Sequence, residues 1–236
     1  MALIKSISGI RGTIGGKPGE SLSPVDVVKF AAAYGTWILK NKNSKKAEVV
    51  IGRDGRSSGK MVSNLVESTL QGLGIDVTDL GLASTPTVEI AVTGLKADGG
   101  IIITASHNPA NWNALKLLNE KGEFLSEAEG NEIIKIAESE GYNFTEYDTI
   151  GTVKTDHSWD EKHINQITKL ELVDIDAIKK ASFTVVVDCI NSVGGIILPL
   201  LLKKIGVKNV ILLNQIPDGN FAHNPEPIPE NLHGIA

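Results

Sequence analysis

The chain has 236 residues, 42% of them hydrophobic and 22% charged, a formal net charge of −5 and a single cysteine, Cys189. That size and balance suit one large or two modest globular domains with ample apolar material for a core. They argue against a nucleic-acid partner, which needs a basic face, and they exclude an internal disulfide, which fits a reducing compartment.

Residues 3–16, LIKSISGIRGTIGG, read as a short strand and then a glycine-punctuated loop bearing Arg11. Ser23 and Pro24 open a helix through Asn41, with Ser at the N-cap, Pro at N1 and apolar residues at three- to four-residue spacing. AEVVIG (47–52) is an apolar run of strand length, followed by the loop GRDGRSSG. An amphipathic helix runs from Lys60 toward Gly72 and Gly74, then a strand over 75–81 and a helix opened by Pro86. DGGIIITA is a strand that empties into TASHNPANWNALK, residues 104–116. ALKLLN reads as a short strand, and Ser126 with Glu129 forms a capping box for the next helix.

Residues 141–160 are polar and turn-rich, and a domain boundary is expected near 153, dividing the chain into 1–152 and 153–236. Beyond it come a partly helical stretch, the buried strand FTVVVDCI with Cys189 packed as a small hydrophobe, a turn over Asn191–Gly195, the helix GIILPLLLKKIG and the strand VKNVILLN. A proline-rich ordered loop follows, and ENLHGIA reads as the start of a helix. Strands and helices alternate, which predicts α/β architecture: three-layer α/β/α domains with a mixed, mostly parallel sheet. The second unit has too few elements to cover its sheet, so it is expected to be incomplete. No leader is evident at the N-terminus and no apolar stretch reaches the roughly 20 residues of a spanning helix. A cytoplasmic location without membrane partners is the expectation.

In sheets of this kind ligands bind beyond the carboxyl ends of strands. Arg11, the GRDGRSSG loop and the TASHNP loop each follow a predicted strand and are expected to converge. Ser106 poses the main chemical question. A hydrolase nucleophile needs a base within hydrogen-bond reach, and His107, its neighbour in an extended segment, diverges from it. The stretch lacks the G-x-S-x-G elbow, and GRDGRSSGKM lacks P-loop spacing. Turn capping by S-H-N-P chemistry stands as the plain alternative, and Lys116 in ALKLL reads equally as a snorkelling surface residue. Arg53 and Arg56 either add field at a cleft or pair with Asp54 or a helix.

TASHNP at 104–109, with Lys116 ten residues past the serine, resembles the active-site signature of the α-D-phosphohexomutases: phosphoglucomutases, phosphomannomutases and phosphoglucosamine mutases. SGIRGTIG, GRDGRSSG, VVVDCINSVGG and PDGNFAHNPEPIPENL resemble further motifs of that family, and the likeness covers the whole chain. The first-helix region looks closest to phosphoglucosamine-mutase-like sequences. Ala114 stands where many members have Gly.

The resemblance implies a mutase that interconverts hexose 6-phosphate and hexose 1-phosphate. Ser106 would be carried as a phosphoserine and hexose 1,6-bisphosphate would be the intermediate and activator. It gives Lys116 the proton transfer, Arg11 the phosphate pairing, His107 a loop-orienting part, and Asn108 and Arg53 places in substrate binding. It also implies Mg²⁺ held by the Ser106 phosphate and three aspartates of a D-x-D-x-D-R loop. No such loop occurs in these residues; Asp174 and Asp176 in LVDIDAI read as solvated carboxylates. The chain is therefore expected to be the N-terminal part of a mutase that is a monomer or homodimer when intact, and inactive alone. The alternative is a non-catalytic interaction module that recruits a partner through its open sheet edge.

Overall fold

The computed structural model describes residues 2–6, 9–41 and 46–235. Ser8 of the SGIRGTIG motif and Ala236 of ENLHGIA lie outside the described residues. One sheet contains seven strands: β1 (Leu3–Ser6), β2 (Gly9–Thr13), β3 (Glu48–Arg53), β4 (Asp76–Leu82), β5 (Gly99–Ile103), β6 (Trp112–Leu118) and β7 (Val153–Thr155). Their order is β1-β2-β6-β5-β3-β4-β7. The β5-β3-β4-β7 half is parallel, and β5-β6-β2-β1 is antiparallel. A second sheet pairs β8 (Thr184–Asp188) with β9 (Asn209–Leu213) in parallel. Among the described residues parallel ladders thus outnumber antiparallel ones.

Helices α1 (Pro24–Asn41), α2 (Gly59–Gly72), α3 (Thr85–Leu95), α4 (Glu127–Glu138) and α5 (Trp159–Ile167) cover the large sheet. Strand alternation decides which helix meets which residue. Ile101, Ile103 and Leu115 pack with Phe30 of α1, Val62 of α2 and Ile133 of α4. Val50, Ile102 and Leu118 point the other way, onto Val88 of α3 and Trp159 of α5. β5 is buried along its whole length, as a central strand covered on both faces must be. Three layers result.

The helix starts follow their local chemistry. Ser23 and Asp26 exchange hydrogen bonds ahead of α1, and Ser126 and Glu129 close the expected capping box on α4. Tyr34 of α1 donates its phenol to Leu118 O at 2.8 Å across the sheet. That hydroxyl occupies the space a side chain at Gly99 would need. Burial pushes its pKa up.

Val153–Thr155, on the second-unit side of the expected boundary, pairs with β4 as the outer strand of the large sheet. Trp159 follows and packs against Gly94, where an added Cβ would lie 2.4 Å from its ring. Helices α6 (Ile175–Ala181) and α7 (Gly194–Lys204) belong to the second unit. Val186 and Ile211 of the small sheet stay half exposed, and Cys189 is buried. No helix among the described residues is long and apolar enough to cross a membrane.

Two expectations need correcting. Arg11 lies within β2, opposite Ala114 of β6, rather than on a loop. Gly9 makes this possible: at φ +113° it lets β2 approach so closely that a Cβ would lie 2.2 Å from Leu115 O. The helix expected from Glu230 is, over Pro229–Asn231, a 3₁₀ turn with no buried residue to hold a longer helix against a core.

Candidate functional site

The apolar strand β5 ends at Ile103, and Thr104 begins the serine loop. The Thr104 hydroxyl donates to Asp54 Oδ2 at 2.6 Å and accepts from Ser106 N at 3.0 Å. Asn108 N then donates to Ala105 O, and Trp112 N to Pro109 O, both at 3.0 Å. Ser106 sits in the left-handed region, φ +54°, with its side chain exposed. That conformation costs a non-glycine residue roughly 1–2 kcal/mol, so the surroundings must hold it.

Arg56 holds it. This side chain is 1% exposed. Nε donates to Asp54 Oδ2 at 3.1 Å. Nη1 donates to Pro109 O at 2.6 Å and Trp112 O at 2.9 Å. Nη2 donates to Ser106 O at 2.8 Å and Asn108 O at 2.7 Å. All five guanidinium N–H donors are thereby used, four of them on carbonyls of the serine loop. Burial lowers the Arg56 pKa, and Asp54 pulls it back up. Of the two roles the sequence allows Arg56, pairing with Asp54 is the one observed. No donor is left over for a substrate. Asn113 adds a further tie, from its side-chain amide to Ser58 Oγ at 2.9 Å.

Arg11 and Lys116 meet on one face of the sheet. Arg11 is opposite Ala114, and Lys116 is two residues further along the same strand, so the pair are diagonal neighbours. That face is the one covered by α3. Arg11 Nε is buried without a hydrogen-bond partner among the described residues, an unusual state for a cation and one that an anion would relieve. Lys116 is half-buried, and burial lowers its pKa; Asp54 and Glu89 raise it, while Arg11 and Arg56 lower it further. Glu89 of α3 is in turn pushed up by burial and drawn down by Lys116. Ala114 adds only a methyl beside this pair.

His107 reaches the other way, placing Nε2 3.4 Å from Glu226 of the proline-rich loop. Asn108 contributes its carbonyl to the Arg56 clamp and is half-buried. Arg53 is not gathered in: its Nη1 donates to Asp54 O at 3.3 Å. It lines a separate open cavity of about 680 Å³ with Lys60, Asp79, His157, Ile196 and Leu200. None of Ser106, Arg11 or Lys116 lines that cavity. Asp174 caps α6 by accepting from Ala177 N at 2.9 Å.

The proline-rich loop is pinned by His223, whose Nε2 lies 2.7 Å from Asp188 Oδ2. The bond to Asp188 raises the His223 pKa. Burial raises that of Asp188, but bonds from His223, Asn214 and Ile190 outweigh it and leave it lowered. Stabilisation from His223 is therefore full below about pH 6.5 and lost as pH rises through its raised folded value. Stabilisation from Asp188 is lost as pH falls through its lowered folded value, below about 3.9. Thermal melting followed across pH should show both limbs, and His223→Gln should remove the upper one; an unchanged upper limb would contradict the pairing.

Thr104 and Glu89 were not singled out from sequence, and Asp54 was named there only as a pairing partner of Arg53 or Arg56. A threonine closing an apolar strand is the signal that could have found Thr104. Glu89, on a helix distant in sequence, offers none.

The sequence model of phosphoglucomutase/phosphomannomutase α/β/α domain I matches residues 3–144, and that of domain II matches residues 161–236. A phosphoglucomutase/phosphomannomutase of Thermococcus kodakarensis is 39% identical over 227 residues, which cover 95% of this chain and 49% of the relative. A phosphoglucosamine/phosphogalactosamine mutase of Sulfurisphaera tokodaii is 35% identical, over 100% of this chain and 50% of the relative. A solved phosphoglucomutase/phosphomannomutase family protein from Burkholderia thailandensis superposes with a TM-score of 0.81 at 25% identity, over 98% of this chain and 48% of that one. The chain spans about half the length of the curated relatives it matches. With two consecutive family domains matched along it, and the serine loop, Arg11 and Lys116 placed as described, the chain belongs to the phosphoglucomutase/phosphomannomutase family.

Proposed function

We propose that this chain is the phosphoryl-carrying part of a phosphosugar mutase, interconverting hexose 6-phosphate and hexose 1-phosphate through a phosphoserine at Ser106 and a hexose 1,6-bisphosphate. The observation that carries the reading is the exposed Ser106, held in a left-handed conformation by an arginine whose every donor is spent on the loop. Such a loop presents one hydroxyl in a fixed direction, and phosphoryl transfer depends mainly on positioning and charge neutralisation.

The sugar hydroxyl oxygen attacks the phosphorus of phosphoserine and gives its proton to the Lys116 amine. The P–Oγ bond breaks, and Ser106 Oγ leaves and takes a proton from solvent. In the reverse transfer Ser106 Oγ gives its proton back to solvent and attacks the other phosphate of the bisphosphate, the bond from that phosphorus to the sugar oxygen breaks, and Lys116 returns a proton to the departing sugar oxygen. Arg11, with its unpaired Nε, pairs with phosphate oxygens. Asn108 and His107 shape the loop, and the substrates are small sugar phosphates.

Mg²⁺ would neutralise phosphate charge in such a reaction. Among the described residues no group of three or more His, Cys, Asp or Glu could hold a metal ion. Asp54, the carboxylate beside the serine loop, is taken up by Arg56 and Thr104. The described residues alone do not fit the ion. The 236-residue chain by itself is expected to show no turnover above background.

The test is to incubate the native gene product with hexose 1,6-bisphosphate carrying labelled phosphate. Label on the Ser106 peptide together with mutase turnover supports the reading; turnover without label there overturns it. Lys116 gives a second check. In the unphosphorylated chain its amine should titrate below the ordinary lysine value of about 10.4, and a phosphate on Ser106 should raise it. NMR of labelled lysine Cε would follow both. Lys116→Met should lower kcat by about 10²- to 10⁴-fold.

A further inference from the structure

We infer that the proline-rich loop of the second unit is a brace for the Ser106 loop, with Phe221 as its positioning residue; this rests on the reading of Ser106 as phosphoryl carrier. The Arg56 donors lie in the guanidinium plane and point at carbonyls, which leaves the two faces of that plane uncommitted. Cζ lies over the Phe221 ring, 5.1 Å from its centroid. A ring on the face of a buried cation is attracted to it and excludes water from it. Arg56 is thus held through its five donors by the first unit and packed against by a ring of the second.

Three more contacts run the same way. Gly219, at φ +74°, brings its backbone against the arginine loop, where an added Cβ would lie 2.2 Å from Gly55 O and 2.8 Å from Ser57 N. Gly55 N donates to Ser192 Oγ at 3.0 Å. Glu226 meets His107, the residue next to Ser106, at 3.4 Å. The brace is tied down in its own unit: Gly219 N donates to Asn191 O at 3.0 Å, Ala222 N to Asn191 Oδ1 at 3.2 Å, and His223 bonds Asp188. A rigid segment of one unit therefore presses on the side chain that sets the serine loop of the other. Phe221 acts through Arg56.

Hydrogen–deuterium exchange of the 236-residue chain tests this without requiring catalysis. Phe221→Ala should raise exchange across 104–112 by about 2- to 30-fold, the range that loss of one such ring–cation contact converts to. Peptides of α1 should be unchanged. Phe221→Tyr, which keeps the ring face, should restore slow exchange, and Phe221→Leu, which keeps bulk alone, should not. In the native gene product Phe221→Ala should lower kcat with KM unchanged. Faster exchange confined to 216–226, or full rescue by Leu, overturns the brace. Failure to label Ser106 in the assay above would overturn the mutase reading while leaving the exchange result standing.

Discussion

Ser106→Ala in the native gene product should reduce mutase turnover by at least several orders of magnitude while leaving the fold intact. The loop offers no second nucleophile: His107 points to Glu226, and the hydroxyl of Thr104 is committed to Asp54. Without Oγ there is nowhere for the phosphate to rest between its two positions on the sugar. The backbone should keep its shape, because the four carbonyls bound by Arg56 define it independently of the side chain at 106. Ser106→Gly sharpens the test. Glycine adopts φ +54° freely, so this variant should match or exceed the parent in stability by up to about 1 kcal/mol, and be equally inactive. Near-normal turnover in either variant, measured with a coupled assay, would remove Ser106 from the chemistry.

Arg56→Ala should cost about 3–5 kcal/mol of folding stability, the range for breaking a buried ion pair by removing one partner. Asp54 would remain beneath the loop with its charge uncompensated, and four carbonyls would lose their donors. Against a typical domain stability of about 5–15 kcal/mol, that loss should appear as a large fall in the urea midpoint. Arg56→Lys keeps the charge but replaces a planar fork of five donors by three tetrahedral ones. It should recover part of the stability and little of the turnover, since the lysine cannot reach all four carbonyls together. A midpoint for Arg56→Ala within about 1 kcal/mol of the parent would show that the loop holds its shape without the clamp.

These two residues also mark where sequence reasoning reached and where it stopped. Ser106 and Lys116 stand in a local motif whose spacing is visible along one strand and its loop. The alternation of apolar runs placed the central strands, because β3 and β5 are covered on both faces and carry continuous apolar sequence. β7 has only three exposed residues, and nothing in Val-Lys-Thr distinguishes an edge strand from a loop. Arg11 read as a loop residue because glycines flank it; the same glycines allow the close strand approach that leaves it half-buried. The Arg56 clamp depends on carbonyls some 50 residues away, and carbonyl directions leave no trace in side-chain identity. Phe221 over Arg56 is further out of reach, joining two units through a loop that composition marks only as proline-rich.

The crossing of β7 and α5 into the large sheet bears on how the molecule can be dissected. A piece ending at residue 152 would strip the outer strand from β4 and empty the seat of Trp159 against Gly94. It would then present an unpaired parallel edge beside a bare apolar hollow, the kind of surface that templates aggregation. A piece carried through α5 keeps both covers. Residues 153–159, past the expected boundary, thus pack on the large sheet, while the domain II match begins only at residue 161, within α5.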